Sequence, residues 1–537
     1  MSLDFFFYPR GVAVFGSFRK GAIAYEILRN IVEGGFEGKI IPVNPKGGSV
    51  EVAGRVFEIR ERLDEPVDTA IIAIPAKFVP GLIDEIGPRI KGAVVISAGF
   101  SEVGNADLER ELVEKARKHG VRLIGPNCAG IFGVHGKFFG SFEVRVKPGG
   151  LALISQSGAF GGAALAMGNE EGIGFSAFVS YGNAADLNES DFLEYFADDE
   201  NTKAIALYIE GVKDGRHFLK ALSYASKRKP VIVLKAGKSA SGAKAAASHT
   251  GSLAGSYEIY RAAFKQAGAI EVEEMEELFD AAKAFEMYSM AGKRVAVITN
   301  SGGPGVLATD KLERLGLEIA KLSEDTVAKL QSFLPEQCST RNPIDLIADA
   351  DYERYKRTIE IVCRDGNVDS ILVICVPPIF IPSEEIAKAV IEADCDKPVI
   401  VNFMAGELVR DGVKLLEEHS IKNFPTPERA ARALAWLAMR KKRGGLILFP
   451  HPLKELFHLV KGPGFGKNYE RTFLGKLGIA GGYYEVALFV VDGNDESILW
   501  EVEFPDGFPS DPALGSYLKA NYLGPFPREK NPVKTGG

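Results

Sequence analysis

Cysteine is scarce in this chain. Five occur among 537 residues, at 128, 338, 363, 375 and 395, an odd number with no Cys-x-x-Cys pair. Neither a disulfide framework nor a thiolate zinc site is therefore expected. Long apolar runs are missing too, and none approaches the ~18–20 residues of a membrane-spanning helix. The N-terminal MSLDFFFYPRG has no basic stretch leading into a long apolar core, so no secretory signal is expected. Positive charge is not in excess: 64 Lys and Arg face 71 Asp and Glu, for a net charge of −7. That balance argues against a polybasic binder of nucleic acid or membrane. The expectation is a cytoplasmic protein with neither nucleic acid nor membrane as partner. What the chain does have is length for three or four domains, at about 100–200 residues each, and 46% hydrophobic residues with which to fill their cores.

The apolar residues come in runs of five to eight, each followed by a glycine-bearing turn and a segment of helical period. This alternation predicts an α/β protein of parallel sheets with crossover helices. In the first block the expected strands are Gly11–Gly16, Lys39–Asn44, Thr69–Ile74, Gly92–Ala98 and Arg122–Pro126. A second block has LALISQS (151–157), FSAFVSYG (175–182), KAIALYIEG (203–211) and PVIVLKAG (230–237). A third opens with KRVAVITNSGG (293–303), repeating the strand, turn and helix of LALISQSGAFGG (151–162). It continues through LEIAKL (317–322), SILVICV (370–376) and PVIVNFM (398–404) to a helix at 427–442. Beyond Gly445 the composition turns to Pro, Gly and aromatics, and residues 483–504 read as two strands around an Asp-Gly turn. The domain limits predicted are 1–146, 147–290, 291–444 and a β-containing extension at 445–537. His451, Glu455 and His458 in that extension fall at helical spacing, but solvated or packed histidines explain them better, and no metal site is expected.

Three groups of residues carry chemistry. The turn from Gly16 to Gly21, after the first strand, lets backbone N–H groups meet phosphate. It lacks the G-x-G-x-x-G pattern, and the second strand ends on Asn44-Pro45-Lys46 rather than on an acid. A lysine there suits a phosphorylated ribose better than a bare diol. Ser155-Gln156-Ser157-Gly158 ends a strand and starts a small-residue helix, whose free N–H donors and dipole attract an anion. Asn300-Ser301-Gly302-Gly303 repeats this in the third block, so two helix N-termini are available to hold one phosphoryl group. His249 lies in Ala247-Ser248-His249-Thr250-Gly251-Ser252, with no bulky apolar neighbours to bury it. An imidazole on such an open loop suits a nucleophile that must accept a group and move. Glu210, at the end of an apolar strand, is placed where a carboxylate could fix its tautomer.

These residues resemble the α subunit of the ADP-forming acyl-CoA synthetases, relatives of succinyl-CoA synthetase. The resemblance spans about residues 8–443 and rests on motifs in order, among them VAVFGS (12–17), IPVNPK (41–46), AIIAIPA (70–76), GPNCAGI (125–131), ISQSGA (154–159), YIEGVKDGR (208–216), KAGKSASGAKAAASHTGSLAG (235–255), TNSGGPG (299–305) and NPIDL (342–346). It implies a Rossmann-like CoA-binding domain followed by two flavodoxin-like domains, and the reaction acyl-CoA + ADP + phosphate ⇌ acid + CoA + ATP. On this resemblance His249 is the phosphorylated histidine and Glu210 its partner. Ser155, Gln156, Ser157 and Gly158 open one phosphate-holding helix, and Ser301, Gly302 and Gly303 the other. Gly16, Ser17, Lys46, Ala73, Pro75 and Asn127 line the site for coenzyme A, which is a substrate. Phe18 and Arg19 depart from the small residues expected in the first turn.

No stretch is left for a nucleotide-binding ATP-grasp module, since 445–537 is shorter than one typical domain. The resemblance therefore implies an ATP-grasp β subunit carrying ADP or ATP with Mg2+, in an α2β2-type assembly. Two alternatives stand beside this one: a CoA-binding regulatory protein of the same fold without turnover, and a nicotinamide-dependent oxidoreductase. The missing ribose carboxylate disfavours the latter.

Overall fold

The computed structural model describes residues 2–239, 241, 242, 244 and 256–440, and three strands further on. The chain divides into two units, Met1–Met439 and Arg440–Gly537. In the first unit three largely parallel sheets follow one another in chain order, each flanked by helices, as the α/β pattern predicts.

The first sheet runs in the order Lys39–Val43, Gly11–Gly16, Thr69–Ala73, Gly92–Val95, Arg122–Ile124, all parallel. Strand Gly11–Gly16, flanked by a strand on each side, is covered on both faces, with Val12, Ala13 and Val14 fully buried. This is why its sequence reads as an unbroken apolar run rather than as an alternation. The strand expected at 92–98 stops at Val95, and residues 96–100 form a loop at the sheet's carboxyl edge.

The second sheet has seven strands: Ile270–Val272, Val231–Lys235, Ala204–Ile209, Pro148–Ser155, Phe175–Ser180, Gly130–Gly133 and Phe138–Ser141. The last two form a hairpin, of which Gly130–Gly133 pairs antiparallel to Phe175–Ser180. Chain from before residue 146 thus closes one edge of the second sheet. Sequence pattern gave no sign of this, because Gly130–Ser141 carries too little alternation to show which sheet it joins.

The third sheet runs Glu318–Ile319, Arg294–Thr299, Ser370–Cys375, Val399–Phe403, with Ile344–Asp345 pairing to the end of Arg294–Thr299. The run LEIAKL contributes only two strand residues. Helix Met275–Met287 packs against Pro427–Met439, so one hydrophobic core continues from the second sheet to the third. Across that contact Arg429 donates from Nε and Nη2 to fully buried Asp280, each at 2.7 Å.

One expectation is corrected here. Cys363 and Cys395 form a disulfide. They lie at or just beyond the ends of Tyr352–Cys363 and Ser383–Glu392, two helices that pack side by side. Thirty-two residues separate the cysteines along the chain. Only the packing of the two helices brings them together, so their spacing carried no signal.

In the second unit, strands Gly475–Ala480, Tyr483–Asp492 and Asp495–Phe504 make an antiparallel sheet, one strand more than the expected pair. His451, Glu455 and His458 lie outside the described residues. Among the described residues no helix is long and apolar enough to cross a membrane.

Candidate active site

Parallel sheets bind ligands beyond the carboxyl ends of their strands, and here the first two sheets turn those ends toward a common cleft of about 880 Å3. One side is built by the first sheet: Ala73, Ile74 and Pro75, then Ile96–Ala98, then Asn127–Ala129. The other comes from the second sheet: Gln156–Ala159, Gly182, Asn183, Glu210 and Lys213. The cleft therefore unites Ala73, Pro75 and Asn127 with Gln156, Ser157, Gly158 and Glu210, residues that lie up to 137 positions apart in sequence.

The phosphate-type half is built locally. Ser157 ends the extended segment and caps helix Gly158–Glu170, its Oγ accepting from Phe160 N at 3.2 Å. Buried Ser155 donates from Oγ to the Ser157 carbonyl at 2.6 Å and so shapes the turn rather than lining the cleft. Gln156 Oε1 accepts from Glu210 N at 2.7 Å and Gly211 N at 3.1 Å, tying the helix start to the end of the neighbouring strand. Lys235 Nζ donates to the Glu210 carbonyl at 2.8 Å and sits 4.7 Å from the centre of the Tyr260 ring. Burial lowers the Lys235 pKa. Tyr208 Oη donates to Glu210 Oε1 at 3.3 Å, and its ring stacks on Phe160 at 3.9 Å. Glu210 is thus held through both its backbone and its carboxylate. The free N–H donors of a helix N-terminus stabilise the negative charge of a phosphoryl group, and an oriented carboxylate beside them can hold a donor such as an imidazole in place.

The other half depends on close backbone approach. A Cβ on Gly16 would lie 2.6 Å from Ala24 Cβ and 2.8 Å from the Ala73 carbonyl, so only glycine fits where the turn meets its helix. Asn44 Nδ2 donates to the Gly16 carbonyl at 2.7 Å, and Asn44 Oδ1 accepts from Lys46 N at 3.0 Å. Gly16, Ser17 and exposed Lys46 lie at the carboxyl edge of the first sheet, but they are not among the residues that wall the cleft. Asn127 takes a left-handed backbone (φ 58°), and its N–H donates to the Ser97 carbonyl at 3.0 Å.

Sequence reasoning missed Asn183, which joins the two halves. Its Nδ2 donates to Glu102 Oε2 at 2.6 Å and to Glu109 Oε2 at 2.9 Å, while Lys213 Nζ donates to its carbonyl at 2.7 Å. Burial alone would raise the Glu102 pKa, but the Asn183 amide and the N–H groups of Gly99 and Phe100 outweigh it and lower it. No local motif marks these residues, since their partners come from the other block.

Ser301, Gly302 and Gly303 do not line this cleft. They open helix Gly302–Arg314 on the third sheet, where both glycines are exposed and Asp345 Oδ2 lies 3.4 Å from where a Gly302 Cβ would stand. His249 lies outside the described residues.

Successive α/β domains, with a cleft joining the carboxyl edge of one sheet to a helix N-terminus on the next, fit a CoA-dependent acid–thiol ligase. Residues 10–133 match the CoA binding domain, 148–285 the succinyl-CoA ligase like flavodoxin domain, and 295–445 the ligase-CoA domain. The α subunit of acetate–CoA ligase (ADP-forming) II from Pyrococcus furiosus is 45% identical over 82% of this chain and 99% of its own length. Acetate–CoA ligase (ADP-forming) I from Archaeoglobus fulgidus is also 45% identical, over 81% of this chain but 63% of its own length. The dinucleotide-forming acetyl-coenzyme A synthetase 1 of Ca. Korarchaeum cryptofilum, solved with phosphate and ADP, superposes with a TM-score of 0.77 at 38% identity, over 82% of this chain and 96% of that one. The chain belongs to the family of ADP-forming acyl-CoA synthetases, within the succinyl-CoA synthetase superfamily.

Proposed function

We propose that the chain is the α-type subunit of an ADP-forming acyl-CoA synthetase that interconverts acyl-CoA, ADP and phosphate with acid, CoA and ATP. The observation that carries this is the cleft itself, in which the Ser157–Gly158 helix start and Glu210, tied together by Gln156, face residues of the CoA-binding half. The relatives cited above are ligases or synthetases, which speaks against a regulatory protein without turnover.

In the proposed mechanism CoA enters along Gly16, Ser17, Lys46, Ala73, Pro75 and Asn127 and presents its thioester to the cleft. Phosphate sits at the helix N-terminus formed by Ser155–Gly158. A phosphate oxygen attacks the thioester carbonyl, the C–S bond breaks, and CoA leaves as the thiol once its sulfur is protonated. The N–H donors stabilise the charge of the resulting acyl phosphate. His249, oriented by Glu210, then attacks phosphorus and releases the carboxylate. Its loop carries the phosphoryl group to a nucleotide bound elsewhere, and Ser301, Gly302 and Gly303 are assigned to holding it on that route.

We place the nucleotide, with Mg2+, on a separate ATP-grasp β subunit in an α2β2-type assembly. Two coverages support this: the chain spans almost the whole of the Pyrococcus α subunit but 63% of the Archaeoglobus enzyme. The division of labour we infer is CoA binding in 1–146, phosphohistidine in 147–290 and a second ligase domain in 291–444, with 445–537 as an extension. A cytoplasmic location belongs to this reading, because CoA, ADP and phosphate are its reactants.

Labelled phosphate, offered to the chain with a panel of acyl-CoA thioesters, tests the mechanism. Acid-labile, base-stable label on the protein is expected, and none on a His249→Ala variant. Label that survives that substitution would remove His249 from the mechanism.

A further inference from the structure

Glu143 also lines the cleft, and nothing above assigns it a task. It follows the hairpin that closes the second sheet, and its backbone is pinned on both sides. Asn30 Nδ2 donates to the Glu143 carbonyl at 2.7 Å, and Glu143 N donates to Ser141 Oγ at 3.1 Å. The nearby cation is engaged elsewhere, since Arg145 Nη1 bonds Glu33 at 2.7 Å and Asn30 Oδ1 at 3.1 Å. The Glu143 carboxylate itself makes no hydrogen bond or ion pair with any described residue, and burial raises its pKa. It lies against helix Gly158–Glu170 at a place only glycine leaves open, for a Cβ on Gly162 would stand 2.1 Å from Oε2.

A half-buried carboxylate without a partner is costly, and a ligand that supplies a donor recovers that cost. Its position indicates which part of a ligand would do so. Gly162 is four residues beyond Gly158, or about 6 Å along the helix axis. The reacting carbonyl must lie within bonding reach of phosphate at the helix start. Ala159, Phe142 and Glu143 all line the cleft, so an acyl chain leaving that carbonyl along the helix would run toward Glu143.

We propose that Glu143 reads the acyl group. The cleft takes acids whose chain carries a hydrogen-bond donor, a hydroxyl or an ammonium, a few bonds from the carboxyl carbon. It turns away dicarboxylic acids, whose second carboxylate would face Glu143. This assignment rests on the acyl-CoA site proposed above.

Isothermal titration of the full chain with butyryl-CoA, 3-hydroxybutyryl-CoA, 3-aminobutyryl-CoA, succinyl-CoA and free CoA tests it. The hydroxy or amino thioester is expected to bind at least about tenfold more tightly than butyryl-CoA, a difference of about 1.4 kcal/mol, and succinyl-CoA more weakly. In Glu143→Ala the ratio of hydroxy or amino thioester to butyryl-CoA should fall to about one. Glu143→Gln separates the two donors, because an amide oxygen still accepts from a hydroxyl but no longer neutralises an ammonium. Equal binding of all thioesters by the native chain, or a ratio that persists in Glu143→Ala, overturns the role of Glu143 while the CoA site stands. No binding of free CoA overturns both.

Discussion

The second and third sheets carry the same strand–turn–helix device, built with related bonds, although Ser157 caps its helix through its side chain and Ser301 does not. In one, Ser155 Oγ donates to the Ser157 carbonyl and Gln156 ties the turn to the neighbouring strand's end. In the other, Thr299 Oγ1 donates to the Ser301 carbonyl, and Asn300 bonds Val376 twice, Nδ2 donating to its carbonyl and Oδ1 accepting from its N–H. Yet only the first device lies in the cleft. The first domain covers its helix start, with Ala129 Cβ 3.1 Å from where a Gly158 Cβ would be, while no described residue lies within 4 Å at Gly303. At the third sheet Asp345 faces the helix start and supplies the negative charge that a helix N-terminus favours. Local sequence makes an anion-binding turn; the neighbouring domain decides whether it is a site.

The largest effect that sharpens this contrast comes from pH. Glu189, 3% exposed in the second domain, has its pKa raised to about 7 by burial. Because the folded state holds that proton more tightly than the unfolded one, stability falls as pH rises from about 4.5 through 7, by roughly 3 kcal/mol at most. Asp365, 4% exposed in the third domain, behaves oppositely. Burial would raise its pKa, but N–H donors from Asn367 and Ser323 outweigh that and lower it. Its contribution is present above the usual carboxylate range and is lost as pH falls through its lowered value. Guanidinium unfolding at pH 5 and pH 8 checks this: Glu189→Gln should flatten the decline and be the more stable protein at pH 8. An unchanged slope would show that Glu189 is not its source.

Next in size are the helix glycines. A Cβ on Gly161 would meet the ring of fully buried Phe178 at 2.7 Å, so Gly161→Ala should cost about 1–3 kcal/mol through overpacking. Gly303→Ala meets no described residue and should be neutral or gain up to about 1 kcal/mol in helix propensity. Thermal melts of the two variants should therefore shift in opposite directions or differ clearly in size. The smallest effect concerns Asp345. Asp345→Asn removes the charge at the third-domain helix start and should cost about 0.3–1 kcal/mol at low salt, less at high salt. A loss insensitive to salt would point to the hydrogen bond from Ile347 N instead.

Much of this was legible beforehand. The strand at Gly11–Gly16 appears with its expected limits, because a strand buried on both faces writes a continuous apolar run. The turn residues Gln156, Ser157 and Gly158, together with Glu210, were marked by strand ends and helix starts, and all of them line the cleft. Asn183, Lys213 and Glu143 were not, since their bonds to Glu102, Asn183 and Asn30 span 30 to 113 positions and no short pattern records such pairs. The Cys363–Cys395 bridge escaped for the same reason.

By itself the sequence determined the local elements: which runs are strands, which turns free their N–H groups, and the order of motifs that marks the family. Those depend on side-chain periodicity and backbone freedom within a few residues. Only the tertiary structure decided that the hairpin at Gly130–Ser141 closes the second sheet. It also decided which helix N-terminus faces the CoA-binding half, and that Glu143 stands over Gly162 without a partner among the described residues. Those outcomes depend on contacts between residues far apart in the chain, where packing and desolvation, rather than spacing, select what meets.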